Sequence, residues 1–176
     1  MNEPIGLKEL PNSFEGHMVF PRDAHLMKEV LDIIKPLSIL EIGFNVGHSA
    51  LGWLTWSKAY LVCVDKGFHN WKQGVKIVYK YFNKRFKFIR GDSRRIKPIL
   101  NTDYYDLVFI DGGHTTSIIE NDINLSLDLN IAHILFDDFS GYVKKIVKKH
   151  EEKGEISLIK EWDYPRQWGL YKNENR

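Results

Sequence analysis

The sequence predicts an α/β fold: an open sheet of seven strands, five parallel and two forming a C-terminal antiparallel hairpin, with helices on both faces. Three observations carry this. Five short runs of near-continuous apolar residues recur along the chain, as expected of strands buried on both faces. Helix-period segments alternate with them, which calls for right-handed crossovers and a parallel sheet. The last two strand-like runs have no helix between them.

In order, Pro21-Arg22-Asp23 opens a helix whose apolar positions are Leu26, Met27, Val30, Leu31 and Ile34; Asp23 is its expected N-cap and Pro36 closes it. Residues 38–42 form the first strand, ending at Gly43, and 47–56 read as a helix. The second strand, 60–64, ends at Asp65, and Trp71, Val75, Val78 and Phe82 mark one face of the helix that follows. Residues 86–89 end at Gly91-Asp92, and 107–110 end at Asp111, before a helix marked by Ile119, Ile123 and Leu127. The fifth run, 131–136, ends at Asp137-Asp138 and leads into a helix with Tyr142, Val143, Ile146 and Val147. Residues 156–159 and 168–171 make the hairpin.

A chain of 176 residues suits a single domain, 1–176, with one core; no repeat or linker divides it. The composition, 43% hydrophobic and 27% charged, excludes disordered and fibrous classes. A net charge of +2 supplies no overall field toward nucleic acid or anionic lipid, so both are disfavoured as partners. The lone Cys63 cannot form an internal disulfide, and residues 1–8 lack the apolar segment of a secretory signal, so a cytoplasmic location is expected. Residues 1–20 form an N-terminal segment in which His17-Met18-Val19-Phe20 could fold over the site as a lid.

Ligands of open α/β sheets bind at the carboxyl ends of the strands, and here those ends are acidic: Glu41, Asp65, Asp92, Asp111 and the pair Asp137-Asp138. One such acid is an ordinary turn former or cap; five strands in succession point to a ligand site. The first turn, Glu41-Ile42-Gly43-Phe44-Asn45-Val46-Gly47-His48-Ser49, combines glycines that allow close backbone approach with a helix N-terminus. It is neither G-x-G-x-x-G nor a P-loop. Asp65, about 20 residues beyond this loop, suits the two hydroxyls of a ribose.

The run 39–47 resembles motif I of class I S-adenosylmethionine-dependent methyltransferases, with Val62-Cys63-Val64-Asp65 as the ribose-binding stretch and Gly91-Asp92-Ser93 as the adenine-side motif. Tyr105-Asp106-Leu107-Val108-Phe109-Ile110-Asp111-Gly112-Gly113-His114 is similar to the subgroup of small-molecule and macrolide-sugar O-methyltransferases, methyltransferase family 24. The resemblance covers roughly residues 20–172 and implies a Rossmann-like sheet and S-adenosylmethionine as cofactor. It places Gly43, Asn45 and Gly47 on the methionine part, Asp65 on the ribose, and Asp92 with Ser93 on the adenine. Glu41 supports the loop from behind, and Ser49 and Asp111 complete the cofactor set.

The same resemblance implies a Mg²⁺ held by Asp111, Asp137 and Asp138, an oxygen set that suits a hard cation; Asp138 could instead cap the next helix. A metal would lower the pKa of an acceptor hydroxyl and fix its position. His114, three residues beyond Asp111, is the candidate base, because imidazole accepts a proton at neutral pH. Asp111 and His114 are thus the catalytic candidates, and the expected reaction is Mg²⁺-assisted O-methylation of a hydroxylated small molecule or sugar.

Two alternatives stay open: an RNA methyltransferase using the basic residues Lys80, Lys84, Arg85, Lys87, Arg90, Arg94, Arg95 and Lys97, or a cofactor-binding protein without turnover. Trp162, Tyr164 and Trp168 would form either an aromatic wall over the acceptor or a hydrophobic edge or oligomer contact. His48 and His133 lack ligand spacing, and Cys63 is a core residue. With no large insertion in the chain, the acceptor pocket must come from the N-terminal segment, the loops, the hairpin or a neighbouring subunit, so a homodimer is one expected arrangement.

Overall fold

The computed structural model describes residues 2–11, 18–68, 70–100 and 104–176. The strands are β1 (Ser38–Ile42), β2 (Tyr60–Asp65), β3 (Phe86–Arg90), β4 (Leu107–Ile110), β5 (His133–Phe136), β6 (Ile156–Trp162) and β7 (Trp168–Asn173). The helices are α1 (Ala24–Ile34), α2 (His48–Trp56), α3 (Trp71–Phe82), α4 (Lys97–Leu100), α5 (Thr116–Asp128) and α6 (Gly141–Glu152). One seven-stranded sheet has the order β3-β2-β1-β4-β5-β7-β6. The first five strands are parallel and β7 runs antiparallel to both β5 and β6.

Alternation along the strands explains why the apolar runs are continuous. Ile39, Leu61, Cys63, Phe109, Leu135 and Leu170 face a core built with Met27 and Val30 of α1, Trp53 of α2 and Val78 of α3. Their neighbours Leu40, Val62, Val108, Ile134 and Phe136 face the other side, against Ile123 of α5 and Val143 and Val147 of α6. Both faces are covered, so neither could be polar.

The sheet and its hairpin follow the sequence expectation; several details differ. A 3₁₀ turn at Ser93–Arg95 and the short α4 lie between β3 and β4, too brief to leave a periodic signal. Asp23 holds the N-cap position of α1, yet its side chain does not cap the helix. It accepts instead from the Val19 amide at 2.9 Å and pairs with Arg22 at 2.7 Å. Trp162 and Trp168 belong to the hydrophobic edge: Trp168 lies against Trp53 and Phe109, and Trp162 is buried with its indole N–H on Glu29. Tyr164 alone of the three is exposed. Of the lid segment, residues 12–17 lie outside the described residues, while Met18 is buried. Among the described residues no helix is long and apolar enough to cross a membrane.

The basic residues between 80 and 97 are largely committed to their own fold. Lys80 pairs with Glu9, Arg94 with Asp92 and Lys97 with Asp128. Arg85 donates to the carbonyls of Leu54, Ser57 and Ala59, satisfying the C-terminal end of α2. Arg85→Met is expected to cost about 2–3 kcal/mol in urea denaturation, because three part-buried carbonyls lose a charged donor. Lys97→Met, in an exposed pair, should stay within about 0.5 kcal/mol.

Candidate active site at the sheet switch point

The strand order reverses direction at β1, whose two neighbours are β2 and β4, and the loops leaving β1 and β4 diverge there. A cleft of about 620 Å³ opens at these carboxyl ends, lined by Gly43, Asn45, Asp65, Ser93, Asp111, Gly113, His114, Asp122, Asp137, Asp138 and Arg166 among others.

The floor is the turn after β1. Gly43 has φ +101°, and a Cβ there would stand 2.1 Å from the Asp111 carbonyl oxygen, so the two loops touch through a residue without a side chain. Asp65 organises the turn: Oδ2 accepts from the amides of Phe44 at 2.8 Å and Asn45 at 3.1 Å, and Oδ1 from Gly67 at 2.6 Å. Behind the turn Glu41 is fully buried and accepts from the Ser49 hydroxyl and, at 2.8 Å, the Cys63 thiol. Burial pushes its carboxyl up to about 7, and the two donors only partly offset this.

The expected cofactor residues therefore separate by position. Gly43, Asn45, Asp65, Ser93 and Asp111 line the cleft. Glu41 stands behind the turn, Gly47 caps α2 with φ +94°, and Ser49 faces a smaller hollow lined also by Met18, Met27, Phe44 and Trp168. Asp92 is turned away onto Arg94 at 2.6 Å and Lys66 at 3.3 Å; the Arg94 guanidinium above all holds its carboxyl well below the usual range.

Beside Ser93, the sequence reading missed Asp122 on α5. It is fully buried, takes the Asn121 amide on Oδ1 at 3.1 Å, and has no hydrogen-bond partner for Oδ2 among the described residues. Burial raises its carboxyl. The available signal was an acid on the apolar stripe of α5, between Ile119 and Ile123.

Asp111 and Asp137 do meet, because Ile110 and Phe136 are register partners and the acids follow them. Burial above all, with Asp137 alongside, pushes the Asp111 carboxyl well above its ordinary value. Asp137 also accepts from the Trp168 indole at 2.6 Å and lies 3.3 Å from Arg166. Asp138, with φ +48°, turns the other way, and its exposed carboxylate sits 3.3 Å from His114 Nε2. Asp111 and Asp137 adjoin each other, whereas the Asp138 carboxylate is taken up by His114, although all three line the same cleft. No metal-binding group of three such side chains occurs among the described residues, and the expected Mg²⁺ tripod does not fit this arrangement.

Residues 40–139 match the family model for a methyltransferase domain, methyltransferase family 24. That is more than half of the chain, which belongs to this family and is a methyltransferase. No curated protein sequence matches it. Solved structures share its Rossmann-like fold. The O-methyltransferase TomG from Streptomyces achromogenes, in complex with S-adenosylmethionine, is 17% identical with a TM-score of 0.72, over 98% of this chain and 91% of TomG. An O-methyltransferase from Bacillus cereus, in complex with S-adenosylhomocysteine, is 15% identical with a TM-score of 0.73, over 96% and 90%. A human methyltransferase 10 domain containing protein is 13% identical with a TM-score of 0.74, over 97% and 94%. At such identities the likeness concerns the fold.

Glu41 gives this site a measurable pH signature. Its folded pKa lies above 4.5, so between 4.5 and about 7 the folded chain binds more protons than the unfolded one, and stability falls as pH rises. Glu41→Gln removes that contribution. The stability difference, variant minus wild type, should grow by about 3 kcal/mol between pH 4.5 and 8 in urea denaturation.

Proposed function

We propose that the cleft binds S-adenosylmethionine and that the chain transfers its methyl group to a hydroxyl of a small molecule or sugar, in the cytoplasm. The observation that carries this reading is the Gly43 turn, pressed on the β4 tip and held by Asp65, with His114 facing the same cleft. The cofactors bound to TomG and to the Bacillus cereus enzyme support it.

S-adenosylmethionine supplies a methyl carbon on a positively charged sulfur, which leaves as a thioether. The work of the chain is to hold and deprotonate the acceptor. A carboxylate has about four lone-pair sites, and three of those on Asp65 are taken by amides, which leaves room for one ribose hydroxyl. Ser93 and Asp122, which line the cleft side by side, would hold the adenine. His114 would take the proton of the acceptor hydroxyl as that oxygen is methylated and the thioether leaves. Asp138, 3.3 Å away, stabilises the resulting imidazolium. No step in this scheme requires a metal ion. The RNA reading has little to draw on, since Lys80, Arg85, Arg94 and Lys97 are engaged within the fold.

The test is transfer of a tritiated methyl group to a panel of hydroxylated small molecules and sugars, with RNA as a comparison acceptor. Small-molecule product is expected, and His114→Gln should lower turnover about a hundredfold or more while leaving S-adenosylhomocysteine affinity unchanged. Product from RNA alone, or full turnover by His114→Gln, would contradict the proposal.

A further inference from the structure

The acids at the acceptor end of the cleft meet a cation supplied by the chain itself. Arg166, in the loop between β6 and β7, has a side chain only 17% exposed. Its Nη2 lies 3.3 Å from Asp137 Oδ2 and its Nη1 3.9 Å from Asp23 Oδ2, and both carboxylates are buried. The same side chain lines the cleft and the smaller hollow beside it. The remaining oxygens are also engaged: the Trp168 indole takes Asp137 Oδ1, and Asp23 receives Arg22 and the Val19 amide. Three separate parts of the fold, the approach to α1, the tip of β5 and the hairpin loop, thus converge on one guanidinium. Its planar donors suit two carboxylates at once.

We propose that Arg166 is the resident cation of this acid cluster, neutralising Asp137 and Asp23 where a divalent ion would otherwise sit, so that the cluster takes up no such ion. Asp111, alongside Asp137, also lies within the field of Arg166, while Asp138 is turned toward His114. Arg166 is accordingly a positioning residue: it acts through Asp137 and ties the hairpin loop to the cleft. The inference concerns the cleft to which methyl transfer is assigned above, but its test needs neither turnover nor acceptor. Absence of methyl transfer would count against the proposed function and leave this result standing.

The probe is Mn²⁺, titrated into the protein with and without S-adenosylhomocysteine and followed by the loss of the free-ion electron paramagnetic resonance signal. The wild-type chain should leave the signal undiminished. Arg166→Met removes the charge from between buried carboxylates and should bind Mn²⁺ roughly tenfold or more tightly than wild type. Adding Asp137→Asn to that variant should abolish the gain, and Arg166→Lys, which restores a cation, should behave as wild type. If Arg166→Met does not fold by circular dichroism, Arg166→Gln replaces it, with the same gain expected. Uptake of Mn²⁺ by wild type that Asp137→Asn eliminates would overturn the proposal. A folded charge-removing variant that binds no more Mn²⁺ than wild type would overturn it as well.

Discussion

The parallel ladder does not stop where the strands do. Gly43 donates to Val64, Asp111 to Ile42, Asp137 to Ile110 and Gly91 to Asp65, each at 2.9–3.0 Å and each from the residue at or just beyond a strand end. These bonds fix the first turn residues as firmly as the strands themselves. The register that aligns Ile42 with Ile110, and Ile110 with Phe136, consequently sets Gly43 beside Asp111 and Asp111 beside Asp137. The close contact at Gly43 follows from this ladder, and any residue with a Cβ would have to break it.

Placing acids at successive strand tips brings like charges together, and the chain resolves each case differently. Burial pushes the Glu41 carboxyl up to about 7, and the carboxyl of Asp111, beside Asp137, is likewise raised. Asp65 spends its charge on backbone amides, which rigidifies the turn it faces. Asp92 is matched by Arg94 and Lys66, and Asp137 by Arg166. Asp138 stays near solvent and pairs with an imidazole. The acids lining the cleft are thus interleaved with Lys66, His114 and Arg166.

Most of the fold was legible because both faces of the sheet are buried, so the strands read as unbroken apolar runs with glycine or acid at their ends. The Gly43 turn and Asp65 were legible for the same reason: strand ends are where a parallel sheet exposes its ligand site. What escaped depended on contacts remote in sequence. Arg166 acquires its role from carboxylates 29 and 143 positions away, and nothing in the hairpin loop itself marks it. Asp23 has the look of a helix cap and becomes a buried counter-ion, because Arg166 and Arg22 meet it from two sides. The pairing of Asp138 with His114 likewise depends on a left-handed backbone at Asp138 that the pair Asp-Asp does not announce.

The ladder-fixed turn at Gly43, closed against the β4 tip, is the proposed floor of a nucleoside thioether site. Isothermal titration of S-adenosylhomocysteine into wild type and Gly43→Ala, both checked for native circular dichroism, tests it most directly. Saturable binding of one molecule per wild-type chain, lost in a folded Gly43→Ala, is the result the account predicts. No binding to wild type, or equal binding to both, would contradict it.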